Sequence, residues 1–151
     1  MILSASAPFD DNATVSAIEF DESDWPLLRI NFTAGPNDEE FDAYLRRYDE
    51  VYVRRGQRYG LMMVVHAGMP MTKTAHAKQQ AEWIGNNEDV VRRLCAGIAF
   101  VLPSPLHRGV LRAILWMQGL PVPYKVFDDP QTGRVWLQGL LGEGSQGGPR
   151  P

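Results

Sequence analysis

The sequence has little cysteine and no long apolar run. Cys95 is the only cysteine among 151 residues, so the chain cannot form an intramolecular disulfide. No apolar stretch approaches the roughly 18 residues that a membrane-spanning helix requires. The first residues carry neither the basic start nor the long apolar segment of a secretory signal. Together these absences predict a cytoplasmic protein without a transmembrane segment.

The sequence also lacks a basic excess and metal-ligand spacing. Fifteen Lys and Arg residues face 18 Asp and Glu, a formal net charge of -3, which argues against a general nucleic-acid binder. His66 and His76 are ten residues apart with no acidic residue or cysteine between them. That spacing does not fit a metal site on one helix or a CxxC-type pair. We therefore expect neither a metal nor another cofactor.

Three segments are predicted. Residues 1–12 are small, polar and acidic, and are expected to be flexible. Residues 142–151, "GEGSQGGPRP", contain no apolar side chain and are expected to be disordered. Residues 13–141 have the length and apolar content of one domain with a hydrophobic core.

The first half of that domain predicts a hairpin and a helix. "TVSAIEF" and "LLRINFTAG" are typical of two strands separated by an acidic turn. A helix begins after Asn37, which forms a capping box with Glu40, and it ends at Gly56. Its charged side is mostly a solvated face, but its arginines, with Tyr44, Tyr48 and Tyr52 near them, leave an acidic protein partner as an alternative. These arginines are Arg46, Arg47, Arg54, Arg55 and Arg58.

The second half alternates strands and helices. "YGLMMVV", "GIAFVLP" and "PYKVF" predict three strands. A helix is expected from about Thr74 to Leu94, with a bend or break near Gly85. Another starts at Ser104 and Pro105 and ends at Gly119, and a last one follows Asp129. The order β-β-α-β-α-β-α-β-α predicts a single α/β domain with a mixed, mostly parallel sheet.

Two segments follow parallel strands and are expected at the sheet edge where α/β proteins bind ligands. They are "HAGMPMTKTAHA", residues 66–77, and "PSPLHRG", residues 103–109. We predict that this edge binds a protein partner, which could be a second copy of the chain. The predicted contact residues are Met69, Met71, Thr72, Lys73, Thr74, His107, Arg108, Arg112 and Trp116.

The stretch "GIAFVLPSPLHRGVLRAILWMQGLPVPYKVFDDPQTGRVWL" carries a resemblance to a known superfamily. An apolar strand, a short polar turn, a basic-apolar helix, a P-Y-K-V-F strand and a last helix follow one another. This order is similar to the STAS/SpoIIAA-like proteins, the anti-sigma-factor antagonists and their Sec14-like relatives. The resemblance implies a bacterial cytosolic signalling or regulatory module that binds proteins without catalysis. It also implies a phosphorylated Ser or Thr early in the second helix, where this chain has Thr72 and Thr74 but no "D-S-S-G"-like signature.

The helix after Ser104 has a broad apolar stripe. Its members are Leu106, Val110, Ile114 and Met117, with Leu111, Leu115 and Trp116 beside them. The leading interpretation is packing against the sheet, and the alternative is an open partner-binding groove. Only Arg108 and Arg112 oppose the stripe, which argues against amphipathic membrane contact.

Two further functions stay open. The protein could carry or sense an apolar small molecule or lipid in a cavity lined by Met62, Met69, Met71, Trp116 and Met117. It could instead be an enzyme that uses His66 as a base with Thr72, Thr74 or Lys73. His76 falls in the first turn of a helix, where a cation is disfavoured, and it is expected to be a surface residue. Cys95 is expected to be a small buried apolar residue rather than a catalytic thiol.

Overall fold

A five-stranded sheet forms the centre of the molecule, and its strands lie side by side in chain order. A computed structural model describes residues 17–66 and 74–145. The first two strands are antiparallel and every other neighbouring pair is parallel, which confirms the mixed, mostly parallel sheet. The strands are β1 (Ile18–Asp21), β2 (Leu27–Phe32), β3 (Tyr59–Val65), β4 (Cys95–Val101) and β5 (Tyr124–Phe127).

Five α-helices connect and cover these strands in the described residues. They are α1 (Asp38–Arg47), α2 (Thr74–Asn86), α3 (Glu88–Leu94), α4 (Pro105–Gln118) and α5 (Pro130–Ser145). The capping box predicted for α1 is present: the Glu40 backbone N–H donates to Asn37 Oδ1 at 2.7 Å, and the Asn37 N–H donates to Glu40 Oε1 at 2.9 Å. Beyond α1 the chain continues as π-helical turns over Tyr48–Val53.

Two predicted boundaries are confirmed and one is wrong. The helical stretch ends at Gly56, whose φ of +73° suits a residue without a side chain. The second predicted helix breaks between α2 and α3, close to Gly85. The predicted disordered tail from Gly142 is wrong at its start, because α5 continues to Ser145. Glycines 142 and 144 are poor helix formers, but the helix before them is already nucleated and docked on the sheet. Residues 1–12 and 146–151 lie outside the described part.

The two faces of the sheet carry two apolar clusters. Side chains alternate along β3, so Leu61 packs in the cluster covered by α1 and α3, whereas Met62 packs in the cluster covered by α5. On the α5 side Leu137 is fully buried, and its side chain lies over Gly60, where a Cβ would come within 3.4 Å. Cys95 opens β4, and it is buried as predicted.

Two tyrosines of the predicted first helix, Tyr44 and Tyr48, do not lie at the surface. Tyr44 and Tyr48 are buried in the core, and the Tyr48 hydroxyl hydrogen-bonds the Tyr59 hydroxyl. Burial raises the pKa of both Tyr48 and Tyr59 above the usual value, so these hydroxyls stay protonated. The alternative in which Tyr44 and Tyr48 contact an acidic partner is therefore wrong.

Candidate functional site

The carboxyl ends of the central parallel strands meet at one edge, as predicted. Val64 on β3 pairs with Val101 on β4, so the segments that follow both strands begin side by side. The backbone N–H of His66 donates to the Phe32 carbonyl at 3.1 Å, and Leu102 N–H donates to the Phe127 carbonyl at 3.0 Å. Backbone hydrogen bonds therefore join this edge to the neighbouring strands β2 and β5.

Four of the nine predicted contact residues lie outside the described part of the chain. These are Met69, Met71, Thr72 and Lys73. Thr74 is the first residue of α2, but its side chain is not described. The predicted partner contacts and phosphorylation of these residues therefore stay predictions. His107, Arg108, Arg112 and Trp116 are all described, and all belong to α4.

The side chains of Ser104 and Arg108 hold the first turn of α4 at the carboxyl end of β4. Ser104 Oγ accepts a hydrogen bond from the His107 backbone N–H at 3.3 Å, and Pro105 occupies the first helical turn, as predicted. The Arg108 guanidinium folds back and donates to the carbonyls of Leu102 (2.8 Å) and Pro103 (3.0 Å). Arg108 therefore ties α4 to the end of β4, and one of its guanidinium nitrogens is already used within the chain.

The apolar stripe of α4 faces solvent, so the expectation that it packs against the sheet is wrong. Only Leu115 among the apolar side chains of α4 is fully buried, and Leu111 is half-buried. The exposed fraction is 73% for Leu106, 85% for Trp116 and 84% for Met117. A helical period shows that one side of a helix is apolar, but it does not show which way that side turns. Here α4 lies against the short edge strand β5, and Leu111 and Leu115 are its more buried apolar side chains.

We call the exposed apolar and small residues of α4 the α4 face. At 3.6 residues per turn they occupy a continuous arc of about 160° around the helix, with no polar residue inside it. Arg112 is exposed at one border of this arc, and His107 is half-buried beyond the other. The members of the α4 face are Leu106, Gly109, Val110, Ala113, Ile114, Trp116 and Met117.

The structure corrects the placement of His76. It is 2% exposed, and its ring stacks parallel to Phe41 with the centroids 4.4 Å apart. Its Nε2 hydrogen-bonds Asp38 Oδ1 at 2.9 Å. Because this contact lies between α2 and the first turn of α1, no pattern within α2 alone could reveal it. His76 joins two helices, so the expectation of a surface residue is wrong.

Two groups considered for catalysis, His66 and Cys95, lie at opposite edges of the sheet, because His66 follows the end of β3 and Cys95 opens the parallel strand β4. Burial raises the pKa of the Cys95 thiol to about 12, so it is not a thiolate at neutral pH. His66 is exposed at the end of β3, and its predicted partners Thr72 and Lys73 lie outside the described part. No group of three or more His, Cys, Asp or Glu in residues 17–66 and 74–145 is arranged to hold a metal ion.

The predicted methionine-lined cavity is not formed by its described members. Met62 is 2% exposed beneath α5, whereas Trp116 and Met117 extend into solvent from α4. These side chains do not share a cavity.

A surface pocket that the sequence did not indicate lies at the opposite edge of the sheet. Its volume is about 400 Å³, and two arginines, Arg58 and Arg92, line it together with apolar residues. Arg92 forms an ion pair with Glu88, whereas no ion pair of Arg58 is found within the described residues. Sequence patterns missed this pocket because its walls come from distant parts of the chain. The apolar part of the lining is Cys95, Ala96, Pro121, Val122, Pro123 and Leu140.

Comparison with known proteins supports the fold. No protein-family model matches the chain, and no curated protein sequence matches it. A solved structure from Shewanella loihica PV-4 is similar, and it is described as an uncharacterised protein of the DUF3478 family with a SpoIIAA-like fold. The similarity covers 80% of this chain and 92% of that chain, with a TM-score of 0.57 and 14% sequence identity. The chain therefore has a SpoIIAA-like fold, as the resemblance implied.

The described helices also bear on the membrane prediction. None of them, in the two described ranges, is both long and apolar enough to cross a membrane.

Proposed function

We propose that this protein is a non-catalytic interaction module that binds a protein partner through the α4 face. The observation that carries the proposal is the exposure of Leu106, Trp116 and Met117 on one helix. Contiguous exposed apolar patches of this kind mark interaction surfaces in soluble proteins. Tryptophan is also the residue type most often found at the energetic centre of protein interfaces.

The position of α4 supports the same function. The helix begins at the sheet edge where α/β proteins bind their ligands, and it runs back beside β5, so Leu106 lies near that edge and Trp116 and Met117 lie towards the opposite one. Ser104 and Arg108 fix its first turn to the end of β4, and Leu115 anchors its last turn. A surface held this rigidly loses little conformational entropy when a partner binds.

Site-specific photo-cross-linking in intact cells tests the proposal. A photoreactive benzoylphenylalanine replaces Trp116 in one variant and Val135 in a matched control. Val135 is also an exposed apolar side chain, at 57%, but it lies on α5 outside the α4 face. We expect a covalent adduct of one defined mass from position 116 and none from position 135. Equal adducts from both positions, or none from position 116, would contradict the proposed function.

A second candidate function rests on the pocket at the other edge. Its volume of about 400 Å³ fits a small ligand, and a guanidinium beside apolar walls suits a carboxylate with a short alkyl chain. Arg58 is the group that would meet the carboxylate, since Arg92 is already paired with Glu88. This function is binding of a small amphiphilic anion.

Titration calorimetry with octanoate tests this candidate. Octanoate is expected to bind the native chain and to lose most of its affinity with Arg58→Gln. Arg54→Gln is the control, because Arg54 is an exposed arginine that does not line the pocket. Binding that is absent from the native chain, or that both variants weaken equally, contradicts the candidate.

A further inference from the structure

We infer that the α4 face is covered by the α4 face of a second copy of this chain, packed antiparallel to form a two-fold symmetric dimer. The inference rests on the proposed function and identifies the partner. Four observations on α4 support it: the spacing of two residue pairs, a pair of small residues four positions apart, the exposed apolar side chains and the distribution of charge.

Two pairs of residues on the α4 face, one large and one small, are spaced symmetrically about position 111, whereas Val110, Ile114 and Met117 have no counterpart on the face. Leu106 and Trp116 each lie five residues from that position, and Gly109 and Ala113 each lie two residues from it. Two such helices can pack antiparallel around a two-fold axis that passes beside position 111. In that arrangement Leu106 of one copy faces Trp116 of the other. Gly109 then faces Ala113. Such an interface is isologous, because the same patch serves on both copies.

Gly109 has no role within a single copy. It lies inside α4, away from both ends, where glycine is a poor helix former. A Cβ built on it would meet no atom within 4 Å, so its own domain does not require the missing side chain. Small residues spaced four apart, as Gly109 and Ala113 are, let two helix backbones approach closely. Gly139 of α5 is open in the same way, but the residues four positions from it are Val135 and Glu143. The pair of small residues on α4 is therefore what favours a helix packed across Gly109.

The exposed apolar residues are large enough in number and size for an interface. The exposed fraction is 73% for Leu106, 85% for Trp116 and 84% for Met117, and Val110 and Ile114 are 37% and 39% exposed. Together they leave roughly several hundred Å² open on one copy, of the order of the ~800 Å² that each partner buries in a standard interface.

The charges on α4 favour a partner that is itself apolar. The helix contains no acidic residue, and Arg108 is turned back onto the carbonyls after β4. Arg112 is the one exposed cation, at the border of the face. An acidic peptide or an anionic lipid surface would be recognised by a row of free cations, which this face does not present. The α4 face of a second copy is apolar over the same arc, so it meets this requirement for an apolar partner.

Sedimentation of the full-length chain tests the dimer. At about 10 μM, where interfaces of this size associate, the native chain is expected at 33.8 kDa, twice its mass of 16.9 kDa. Gly109→Leu places a side chain at the closest approach and is expected to sediment as a folded monomer. Gly139→Leu is the matched control: Gly139 is an exposed helical glycine of α5 with no atom within 4 Å of a built Cβ. This control should remain dimeric.

A charge pair tests the antiparallel register. Leu106→Glu alone and Trp116→Lys alone should each sediment as monomers. Mixed in equal amounts they should form a heterodimer, because the carboxylate introduced at position 106 then faces the ammonium introduced at position 116. Restoration by mixing is not expected if the helices pack in parallel, so failure to restore would overturn the register.

The outcomes separate this inference from the proposed function. A native chain that stays at 16.9 kDa overturns the dimer. If the adduct cross-linked from position 116 then contains a different protein, the dimer is wrong and the proposed function stands. Flotation of a monomeric native chain with vesicles of anionic phospholipid would overturn both. Unfolding curves of all variants show whether a loss of dimer reflects a loss of fold.

Discussion

Replacing His76 tests how α1 and α2 are joined. The His76 ring is almost fully buried and stacks on Phe41, whereas the Asp38 side chain that it hydrogen-bonds is 88% exposed. His76→Ala removes a buried aromatic ring and leaves a cavity. We expect it to lower the free energy of unfolding by about 2–4 kcal/mol, slightly less than a buried Phe→Ala change.

The contributions of stacking and hydrogen bonding can be separated. Asp38→Ala should cost only about 0.5 kcal/mol, because the carboxylate is solvated and an exposed pair contributes little. His76→Phe keeps the stacked ring and should cost about 1 kcal/mol, the worth of a typical hydrogen bond. Most of the effect of His76→Ala should therefore come from packing against Phe41.

Urea unfolding followed by circular dichroism measures these three values. All variants are compared at one protein concentration, because association shifts apparent stability, and the dependence on urea should stay constant if the fold is unchanged. A loss within about 0.5 kcal/mol for His76→Ala is typical of surface substitutions. That result would refute the buried placement of His76.

Three other predictions concern the core. Leu137→Ala should lower the free energy of unfolding by about 2–5 kcal/mol, whereas Val135→Ala on the same helix should change it by less than about 0.5 kcal/mol; similar urea midpoints for both would contradict the burial of Leu137. The pKa of Cys95, raised to about 12 by burial, means that alkylation of the native thiol at pH 8 is limited by unfolding. Alkylation of the native chain as fast as that of the urea-unfolded chain would contradict the burial of this thiol. The stability that the neutral thiol contributes is fully present below the unfolded pKa of about 8.5, and it is lost as the pH rises from there towards the folded pKa of about 12. Gly97→Ala would bring a methyl group within 2.5 Å of a leucine side chain and should cost about 1–3 kcal/mol, whereas Gly139→Ala should stabilise the chain by up to about 1 kcal/mol; the reverse order of melting temperatures would contradict the packing described.

Local signals in the sequence were enough to predict most of the elements. Asn37 and Glu40 form their capping box within four residues of chain, and Ser104 caps α4 within the next turn. Gly56 and Gly119 end helical stretches at positive φ, a conformation that glycine adopts without strain. These contacts form between neighbours in sequence, so they can be recognised without knowledge of the fold.

The features that sequence patterns did not give depend on contacts between distant residues. His76 is buried because Phe41 on α1 comes to lie beside it, 35 positions earlier in the chain. The pocket beside Arg58 is assembled from four separate parts of the chain. The α4 face was recognised as apolar, but its outward direction follows from how the helix lies on β5, which a helical period does not contain.

Oxidative footprinting of Met117 in intact cells tests the central claim that the α4 face is covered in the working protein. Met62, 2% exposed beneath α5, serves as the protected reference within the same chain, and Met117 is 84% exposed in the isolated domain. In the purified Gly109→Leu variant, Met117 should oxidise far faster than Met62. In cells the native chain should show Met117 protected almost to the level of Met62. Equally fast oxidation of Met117 in cells and in the purified variant would contradict the account, because the α4 face would then be open to solvent where the protein works.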